Sequence, residues 1–216
     1  MKRAVETCDM RWKAVLLVGP TGCGKTPLGE LLETEGLWGR RCLHFDFGKE
    51  LRASADGQTG RLTHKEHELV ERLLMTGALL EDKHFPVARK LLIDFMTERN
   101  AGEDTLVVLN GLPRHVGQAR AMEVVVEMRA LVSLECAPDI AWERVRTNAG
   151  GDRGQRDDDT LEEVKQRLEV FRQRTVPLLE YYGARGVCML CVDAGVKTTA
   201  WEMRRALEAQ CSRMAL

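Results

Sequence analysis

The sequence predicts an α/β fold of three layers, in which a parallel sheet of five strands lies between two layers of helices. Five short runs of apolar or β-branched residues have the composition of strands that are buried on both faces. Helical patterns alternate with these runs, which indicates a parallel sheet covered on both sides. The 216 residues, 44% of them hydrophobic, suffice for one domain with a core. The predicted strands are residues 14–18, 41–45, 105–109, 131–134 and 187–192.

Two segments depart from this simple alternation. About 60 residues separate the second and third strands, far more than one crossover helix needs, so residues 47–100 are expected to form a helical insert. Residues 147–157, TNAGGDRGQRD, are rich in glycine and charge and predict a mobile loop, or short lid, without zinc ligands. The core would then comprise residues 1–46, 101–146 and 158–216. The predicted helices are residues 25–34, 65–75, 87–98, 118–129, 139–146, 160–182 and 198–211.

The amino-acid composition disfavours several classes of function. Acidic residues (33) and basic residues (32) nearly cancel, so binding of nucleic acid through bulk charge is not expected. The apolar run 14–18 is far too short to span a bilayer, and the polar start of the chain has no secretory signal. Seven cysteines, an odd number, fit a reducing cytoplasm. Cys188 and Cys191 have C-x-x-C spacing but lie in an apolar run, so we interpret them as buried strand residues. A cytoplasmic monomer that binds no membrane is expected.

Residues 19–26, GPTGCGKT, match the phosphate-loop pattern G-x-x-x-x-G-K-[ST] in full. The motif follows a predicted buried strand and opens a predicted helix, the context in which backbone N–H groups and a helix N-terminus hold phosphate. The pattern therefore predicts a P-loop NTPase fold and an ATP site. A GTPase or motor ATPase is not favoured, because the third strand ends without an acid and no N-K-x-D follows. The predicted ATP-binding residues are Gly19, Gly22, Cys23, Gly24, Lys25 and Thr26.

Arginines follow two of the predicted strands. Arg52 follows the second strand, and Arg114 follows the third with Gln118 four residues on. Because the carboxyl ends of parallel strands meet at one edge of a sheet, both arginines can face the phosphate loop. The alternative is that each is a solvated arginine at a helix start. A second group surrounds the predicted lid, where cations could clamp a phosphoryl group during transfer, unless they only form pairs along an exposed helix. This group comprises Arg144, Arg146, Arg153, Arg156 and Arg167.

At this point the chain resembles adenylate kinases and other nucleoside monophosphate kinases. The phosphate loop, the stretch ending in Arg52, residues 111–118, Arg156 with three aspartates, Arg167 and residues 175–182 occur in that family's order and approximate spacing. The resemblance implies reversible transfer of the ATP γ-phosphoryl group to a nucleoside monophosphate, with Mg²⁺ as cofactor. Residues 47–100 would be the monophosphate-binding region.

The resemblance also implies roles for single residues. Gly111, Arg52 and Arg114 would bind the monophosphate, and Gln118 would read its base, a glutamine there being typical of AMP users. Lys25 and Arg114, with Arg146 or Arg153 and with Arg156 and Arg167, would be catalytic. Phe47 stands where adenylate kinases have a small hydroxyl residue, and we expect it to stack on or wall the base. Lys49 replaces an acid of the family pattern.

The metal site also departs from the family. Asn110 replaces the aspartate that ends the third strand in the resembling enzymes. We therefore expect Mg²⁺ to be held by Thr26, by Asp46 at the end of the neighbouring strand, and by Asn110 through water. The alternative is that Asp46 only caps the following helix. The four residues His44, His64, His67 and His84 are interpreted as structural, and His115 as solvated.

ATP-dependent phosphorylation of AMP is the leading prediction for function. The alternatives are a kinase of UMP, CMP or another small acceptor, because of Phe47 and Lys49, and a nucleotide-binding regulatory protein with little transferase activity.

Overall fold

A computed structural model describes residues 11–57, 62–78, 80–152 and 160–211. Within these residues, five strands form one parallel sheet in the order β2-β3-β1-β4-β5. The phosphate loop follows the central strand, which has neighbours on both sides. The strands are β1 (Trp12–Val18), β2 (Cys42–Asp46), β3 (Leu106–Asn110), β4 (Val126–Glu135) and β5 (Cys188–Asp193). The predicted fold, a three-layer P-loop NTPase sheet with helices on both faces, is confirmed.

Helices cover the two faces of the sheet because successive strand residues point to opposite sides. Leu16 and Val18 of β1 pack into a core with the helices of the long β2–β3 connection. Val15 and Leu17 pack into a second core with the helix after the phosphate loop and the last helix. The helices are α1 (Lys25–Glu35), α2 (Phe47–Ala55), α3 (His64–Thr76), α4 (Phe85–Glu98), α5 (Val116–Met122), α6 (Pro138–Arg146), α7 (Leu161–Val170), α8 (Pro177–Gly183) and α9 (Ala200–Cys211).

The β2–β3 connection contains α2, α3, a 3₁₀ turn over Asp82–His84, and α4. Helix α4 lies directly on the sheet, where the ring of Phe95 meets the ring of Phe45 edge to face at a centroid distance of 5.2 Å. Helix α3 begins with a capping box between Thr63 and Glu66. Part of the predicted insert is therefore a sheet-covering layer, and the division into core, insert and lid stays a prediction.

Two segments differ from the sequence prediction. The helix expected over residues 118–129 ends at Met122, and the chain enters β4 at Val126. The cause is visible in the run Val124-Val125-Val126, since β-branched side chains favour strands over helices. In β5, Cys191 is exposed rather than buried, because β5 is an edge strand with its outer face uncovered.

The helix predicted over residues 160–182 is interrupted. A capping box of Thr160 and Glu163 starts α7, as expected from the sequence. A π-helical turn over Phe171–Thr175 then separates α7 from α8, in which Pro177 occupies the first turn. The interruption lies next to Pro177, the residue that was expected to kink the helix. Proline has this effect because it has no backbone N–H to donate to the hydrogen bonds of a helix. The turn places Thr175 on the inner side, where its side chain is buried.

Candidate active site

The phosphate loop connects the buried end of β1 to the first turn of α1. Gly22 and Gly24 adopt left-handed backbone conformations, with φ of 84° and 99°. At Gly22 a side chain is also excluded sterically, because its Cβ would lie 2.6 Å from the carbonyl oxygen of Ala141. The two glycines therefore permit the tight curl that directs backbone N–H groups inward, as the phosphate-loop motif requires.

Lys25 and Cys23 are neighbours within the loop, with the Lys25 Nζ 3.5 Å from the Cys23 sulfur. The Nζ of Lys25 donates to the carbonyl oxygens of Gly19 and Pro20, both at 2.7 Å. An ammonium group held over the loop in this way can exchange those carbonyls for phosphate oxygens. Cys23, by contrast, is fully buried, with its sulfur 2.6 Å from the position that a Cβ on Gly19 would take. Its side chain packs under the loop, so only its backbone is available to a nucleotide.

The three residues predicted for the metal form one hydrogen-bonded cluster. Asp46 and Asn110 are paired in register at the ends of β2 and β3, and Thr26 stands opposite them in the first turn of α1. The Thr26 hydroxyl donates to Asp46 Oδ2 at 2.9 Å. Asn110 Nδ2 donates to the same oxygen at 2.9 Å and lies 3.1 Å from the Thr26 hydroxyl.

Asp46 caps the following helix, one of the two alternatives that the sequence left open, and its role toward the metal stays a prediction. Its Oδ1 accepts a hydrogen bond from the backbone N–H of Lys49 at 3.0 Å and so caps α2. Its Oδ2 faces Thr26, as described above. The capping bond is a reason why this carboxylate points in a fixed direction at the edge of the sheet.

Asn110 is placed differently from the prediction. It was expected to offer an oxygen to a metal-bound water, but its amide nitrogen faces the cluster. The physical reason is charge, since a carboxylate beside it needs a hydrogen-bond donor and would repel a second acceptor. The cluster therefore presents one carboxylate and one hydroxyl, which suits Mg²⁺ that keeps most of its waters and binds nucleotide phosphates.

His44 supports this cluster from below. Its Nε2 lies 3.4 Å from Asn110 Nδ2, and the side chain is 7% exposed. Gly29 of α1 leaves room for the ring, because a Cβ there would lie 2.2 Å from Nε2. Burial lowers the pKa of His44 and thereby favours the neutral imidazole. Its position agrees with the prediction of a structural histidine.

Arg52 and Arg114, the two arginines predicted to bind the monophosphate, lie at the same sheet edge as the phosphate loop. Gly48 lies between the Asp46 carboxylate and the Arg52 guanidinium group. A Cβ added to this glycine would be 3.4 Å from Asp46 Oδ1 and 3.5 Å from Arg52 Nη1. A Cβ on Gly111 would lie 3.4 Å from Arg114 Nη2. Both arginines are exposed. The structure thus brings Arg52, Gly111 and Arg114 to the carboxyl ends of β2 and β3, where the sequence predicted them.

Phe47 and Gln118 do not face this edge. The Phe47 side chain is 6% exposed and packs in the core near Phe45, at a centroid distance of 6.2 Å. It therefore is not the expected wall for a base, because it completes the hydrophobic face of α2. Gln118 is 1% exposed, and backbone groups of Arg114 and Leu80 bind the two ends of its amide. The role expected for Gln118 toward the base stays a prediction.

Arg144 was named in the arginine group around the lid, but the resemblance assigned a catalytic role to Arg146 or Arg153 and none to Arg144. Arg144 is 3% exposed, and its Nε donates to the carbonyl oxygen of Gly22 in the phosphate loop at 2.9 Å. Its Nη1 contacts three carbonyls of the loop after β5, those of Gly195, Val196 and Thr198. The guanidinium group thus ties the phosphate loop to that neighbouring loop.

Arg146, one of the predicted catalytic residues, lies on the opposite side of α6. It is exposed and forms a two-pronged ion pair with Glu143 of its own helix at 2.8–3.1 Å. Helical periodicity contained the signal, because Ala141, Arg144 and Val145 share the buried face of α6. Arg153 and Arg156 lie outside the described residues, and Arg167 is half-buried on α7.

His115 also differs from expectation. It was predicted to be solvated, but it is 7% exposed and its Nε2 lies 3.2 Å from the carbonyl oxygen of Leu80. Its other ring nitrogen accepts from the backbone N–H of Gln118 at the start of α5. His115 therefore helps to anchor the segment that carries Arg114.

Along the residue ranges that the structure describes, no helix is both long and apolar enough to cross a membrane.

Comparisons with known proteins agree with this geometry. A family model described as an AAA domain matches residues 15–166. An adenylate kinase of Synechococcus sp. (strain WH7803) is 34% identical over 186 residues, which cover 83% of this chain and 89% of the relative. An adenylate kinase of Streptomyces coelicolor is 30% identical over 227 residues, which cover 90% of this chain and 97% of the relative.

Among solved structures, a gluconokinase from Sinorhizobium meliloti 1021 has a TM-score of 0.52, with 18% identity and 94% of both chains covered. At that identity the likeness concerns the fold alone. The sequence similarity over most of the chain, joined to a complete phosphate loop opposite two arginines, shows that the chain belongs to the adenylate kinase family and is a phosphotransferase.

Proposed function

We propose that the protein transfers the γ-phosphoryl group of ATP to AMP and so forms two molecules of ADP. One observation carries the proposal. The phosphate loop and the two arginines at the ends of β2 and β3 lie at one edge of the sheet, with the Thr26–Asp46–Asn110 cluster between them. Donor and acceptor phosphates bound there would lie on either side of the cluster. The relatives named adenylate kinase support AMP as the acceptor.

In this reaction an oxygen of the AMP phosphate forms a bond to the γ-phosphorus. The bond between the γ-phosphorus and the oxygen that bridges it to the β-phosphorus breaks, and that oxygen leaves as part of ADP. The acceptor is already an anion, so catalysis needs orientation and positive charge more than a general base. Lys25 would follow the migrating charge, while Arg52 and Arg114 would hold the acceptor phosphate.

Thr26 and Asp46 would hold Mg²⁺, Asp46 through metal-bound water, and the ion would neutralise charge on the ATP phosphates. Asn110 would fix the direction of the Asp46 carboxylate. The clamp for the migrating phosphoryl group would come from Arg167 together with Arg153 and Arg156. Gly19, Gly22, Gly24 and the backbone of Cys23 would enclose the ATP phosphates.

The test is a coupled assay of ADP formation with Mg²⁺ and ATP, run with AMP, CMP and UMP as separate acceptors. We expect AMP to give the highest kcat/KM. A higher kcat/KM with CMP or UMP would reassign the enzyme to pyrimidine monophosphates. ATP binding without transfer to any of the three would contradict the proposed function.

A further inference from the structure

The outer edge of β5 is bound by a side chain of the last helix. β5 pairs with β4 on one side and is the last strand in the order of the sheet. On the other side, the N–H of Cys191 donates to Gln210 Oε1 at 3.1 Å, and Gln210 Nε2 donates to the carbonyl oxygen of Cys191 at 2.8 Å. The amide of Gln210 therefore makes the two hydrogen bonds that the peptide groups of a neighbouring strand would make.

The Gln210 amide is held in this position by its own helix. Met203 and Leu207 of α9 are 1% and 0% exposed and pack into the second core, beside β5. Gln210 follows Leu207 by three residues and so lies near the same face of the helix. Its Nε2 also donates to the carbonyl oxygen of Ala206 at 3.1 Å. With one donor bound to α9 and the other to β5, the amide has a fixed orientation.

Cys191 is the residue at which this edge is most effectively closed. Successive residues of a strand direct their peptide groups to alternate sides. Because the peptide groups of Cys191 point away from β4, those of Met189 and Asp193, two residues to either side, point the same way. Gln210 binds the middle one of these three residues. Another strand could pair with β5 over more than one residue only if it displaced Gln210.

The composition of β5 indicates which strand would pair with it. The six residues CMLCVD include one charge and neither proline nor glycine, which is typical of segments that associate through β pairing. Met189 is 42% exposed, and Cys191 is exposed as well. Two copies of such an edge can pair antiparallel about a twofold axis, because the same residues then face each other. The fitting partner is therefore a second copy of this chain.

We propose that Gln210 keeps the edge of β5 closed to a second copy of the chain. Proteins commonly protect edge strands against pairing of this kind, and here one glutamine takes the place of the missing neighbour. The inference does not rest on the proposed function, because it involves neither the phosphate loop nor the acceptor arginines.

Association is tested with the full chain. Gln210→Met retains the length of the side chain and removes both hydrogen bonds to Cys191. The matched control is Gln173→Met, which places the same side chain at an exposed position of the π-helical turn. Light scattering and sedimentation velocity from about 10 to 200 µM should show monomers for the wild type and the control, and dimers or larger species for Gln210→Met. Gln210→Met that stays monomeric at the highest concentration would overturn the proposal.

A second substitution locates the association. In Gln210→Met/Cys191→Lys, the lysine of one copy would face the lysine of the other across the twofold axis, and like charges that face each other oppose strand pairing. We expect this double variant to return to the monomeric state. Association as strong as in Gln210→Met alone would show that the contact lies elsewhere than at the edge of β5.

Amide hydrogen exchange tests the closed edge directly, at a concentration at which every variant is monomeric. The amide of Cys191 should exchange roughly tenfold faster or more in Gln210→Met than in the wild type, whereas the amides of Leu190 and Val192, which face β4, should not change. Equal exchange at Cys191 in both proteins would refute the role of Gln210. Association of the wild type with protection of the Met189 amide would also overturn the proposal, because the edge would then be open.

Discussion

The proposed donor side of the site, with the phosphate loop, and the proposed acceptor side, with Arg52 and Arg114, are built in different ways. On the donor side, the loop and Lys25 come from one contiguous stretch of eight residues, and most of their contacts stay within it. On the acceptor side, Arg114 depends on Gln118, Leu80 and Thr175, and the last two are 34 and 61 residues away in sequence. A local motif builds the first side, and folding of distant segments builds the second.

The Thr26–Asp46–Asn110 cluster joins the two sides. Thr26 belongs to the donor helix, while Asp46 and Asn110 end the strands that the acceptor arginines follow. From this contrast we expect substitutions on the donor side to lower the rate of phosphoryl transfer with little effect on the rest of the structure. Changes on the acceptor side should spread through the packing that holds it.

The largest effect is expected on the donor side. Lys25→Met should lower kcat about 100-fold or more, because a fixed cation at the migrating phosphoryl group contributes about 3 kcal/mol to the transition state. The melting temperature should stay close to the wild-type value, since Lys25 donates to the carbonyls of Gly19 and Pro20 and to the sulfur of Cys23, all within its own loop. Steady-state kinetics and thermal melting check this, with Lys65→Met on the exposed side of α3 as control. Turnover near the wild-type value would remove the phosphate-loop assignment.

On the acceptor side, Arg114→Ala should lower kcat/KM for AMP roughly 10- to 100-fold, as expected for loss of a charge-assisted contact to phosphate. The KM for ATP should change less than threefold. Arg146→Ala is the matched comparison, because that arginine is exposed and paired with Glu143. We expect less than a threefold effect for it. An equal loss in both variants would restore Arg146 to the catalytic set and weaken the contrast between the two sides.

Arg144 tests the support of the donor loop. Arg144→Met should reduce the free energy of unfolding by about 3 kcal/mol, because a buried guanidinium that satisfies carbonyls of two loops is lost. Chemical denaturation with and without ATP measures this, and the ATP-induced stabilisation should also shrink. Arg146→Met should leave the denaturation midpoint unchanged. If Arg144→Met unfolds at the wild-type midpoint, the donor loop does not depend on this long-range contact.

The smallest effect is expected where the sides meet. Asn110→Asp should lower stability at pH 8 without Mg²⁺ by about 1–2 kcal/mol, since a second carboxylate would face Asp46 Oδ2 across 2.9 Å. This repulsion exists only while both carboxylates are ionised. The cost is therefore present at pH 8 and smaller at pH 5, where protonation of one carboxyl relieves it.

Mg²⁺ should recover much of this lost stability, and the concentration of Mg²⁺ needed for half-maximal activity should fall. Titration of activity against Mg²⁺, with melting curves at pH 5 and pH 8, checks both effects. Asn110→Ala is the control that removes the donor without adding charge. If Mg²⁺ stabilises Asn110→Asp and Asn110→Ala equally, the ion does not bind beside Asp46.

Much of the acceptor side lay beyond sequence reasoning. The positions of Arg52 and Arg114 were predictable, because each follows a strand and parallel strands end together. The burial of Gln118 was not, because it depends on Leu80, which only the fold brings near. Arg144 lay between these cases, since helical periodicity marked its face but not the two loops that it binds.

By itself the sequence determined the layered sheet, the phosphate loop and the sheet edge at which the site lies. These follow from patterns within a few residues, namely strand hydrophobicity, glycine conformation and the alternation of strands and helices. Only the tertiary structure decided which atoms face which: the amide nitrogen of Asn110 toward Asp46, Phe47 into the core, and Gln118 onto the backbone of Arg114. The reason is that a buried polar group takes the partner that packing supplies, and that partner comes from distant parts of the chain.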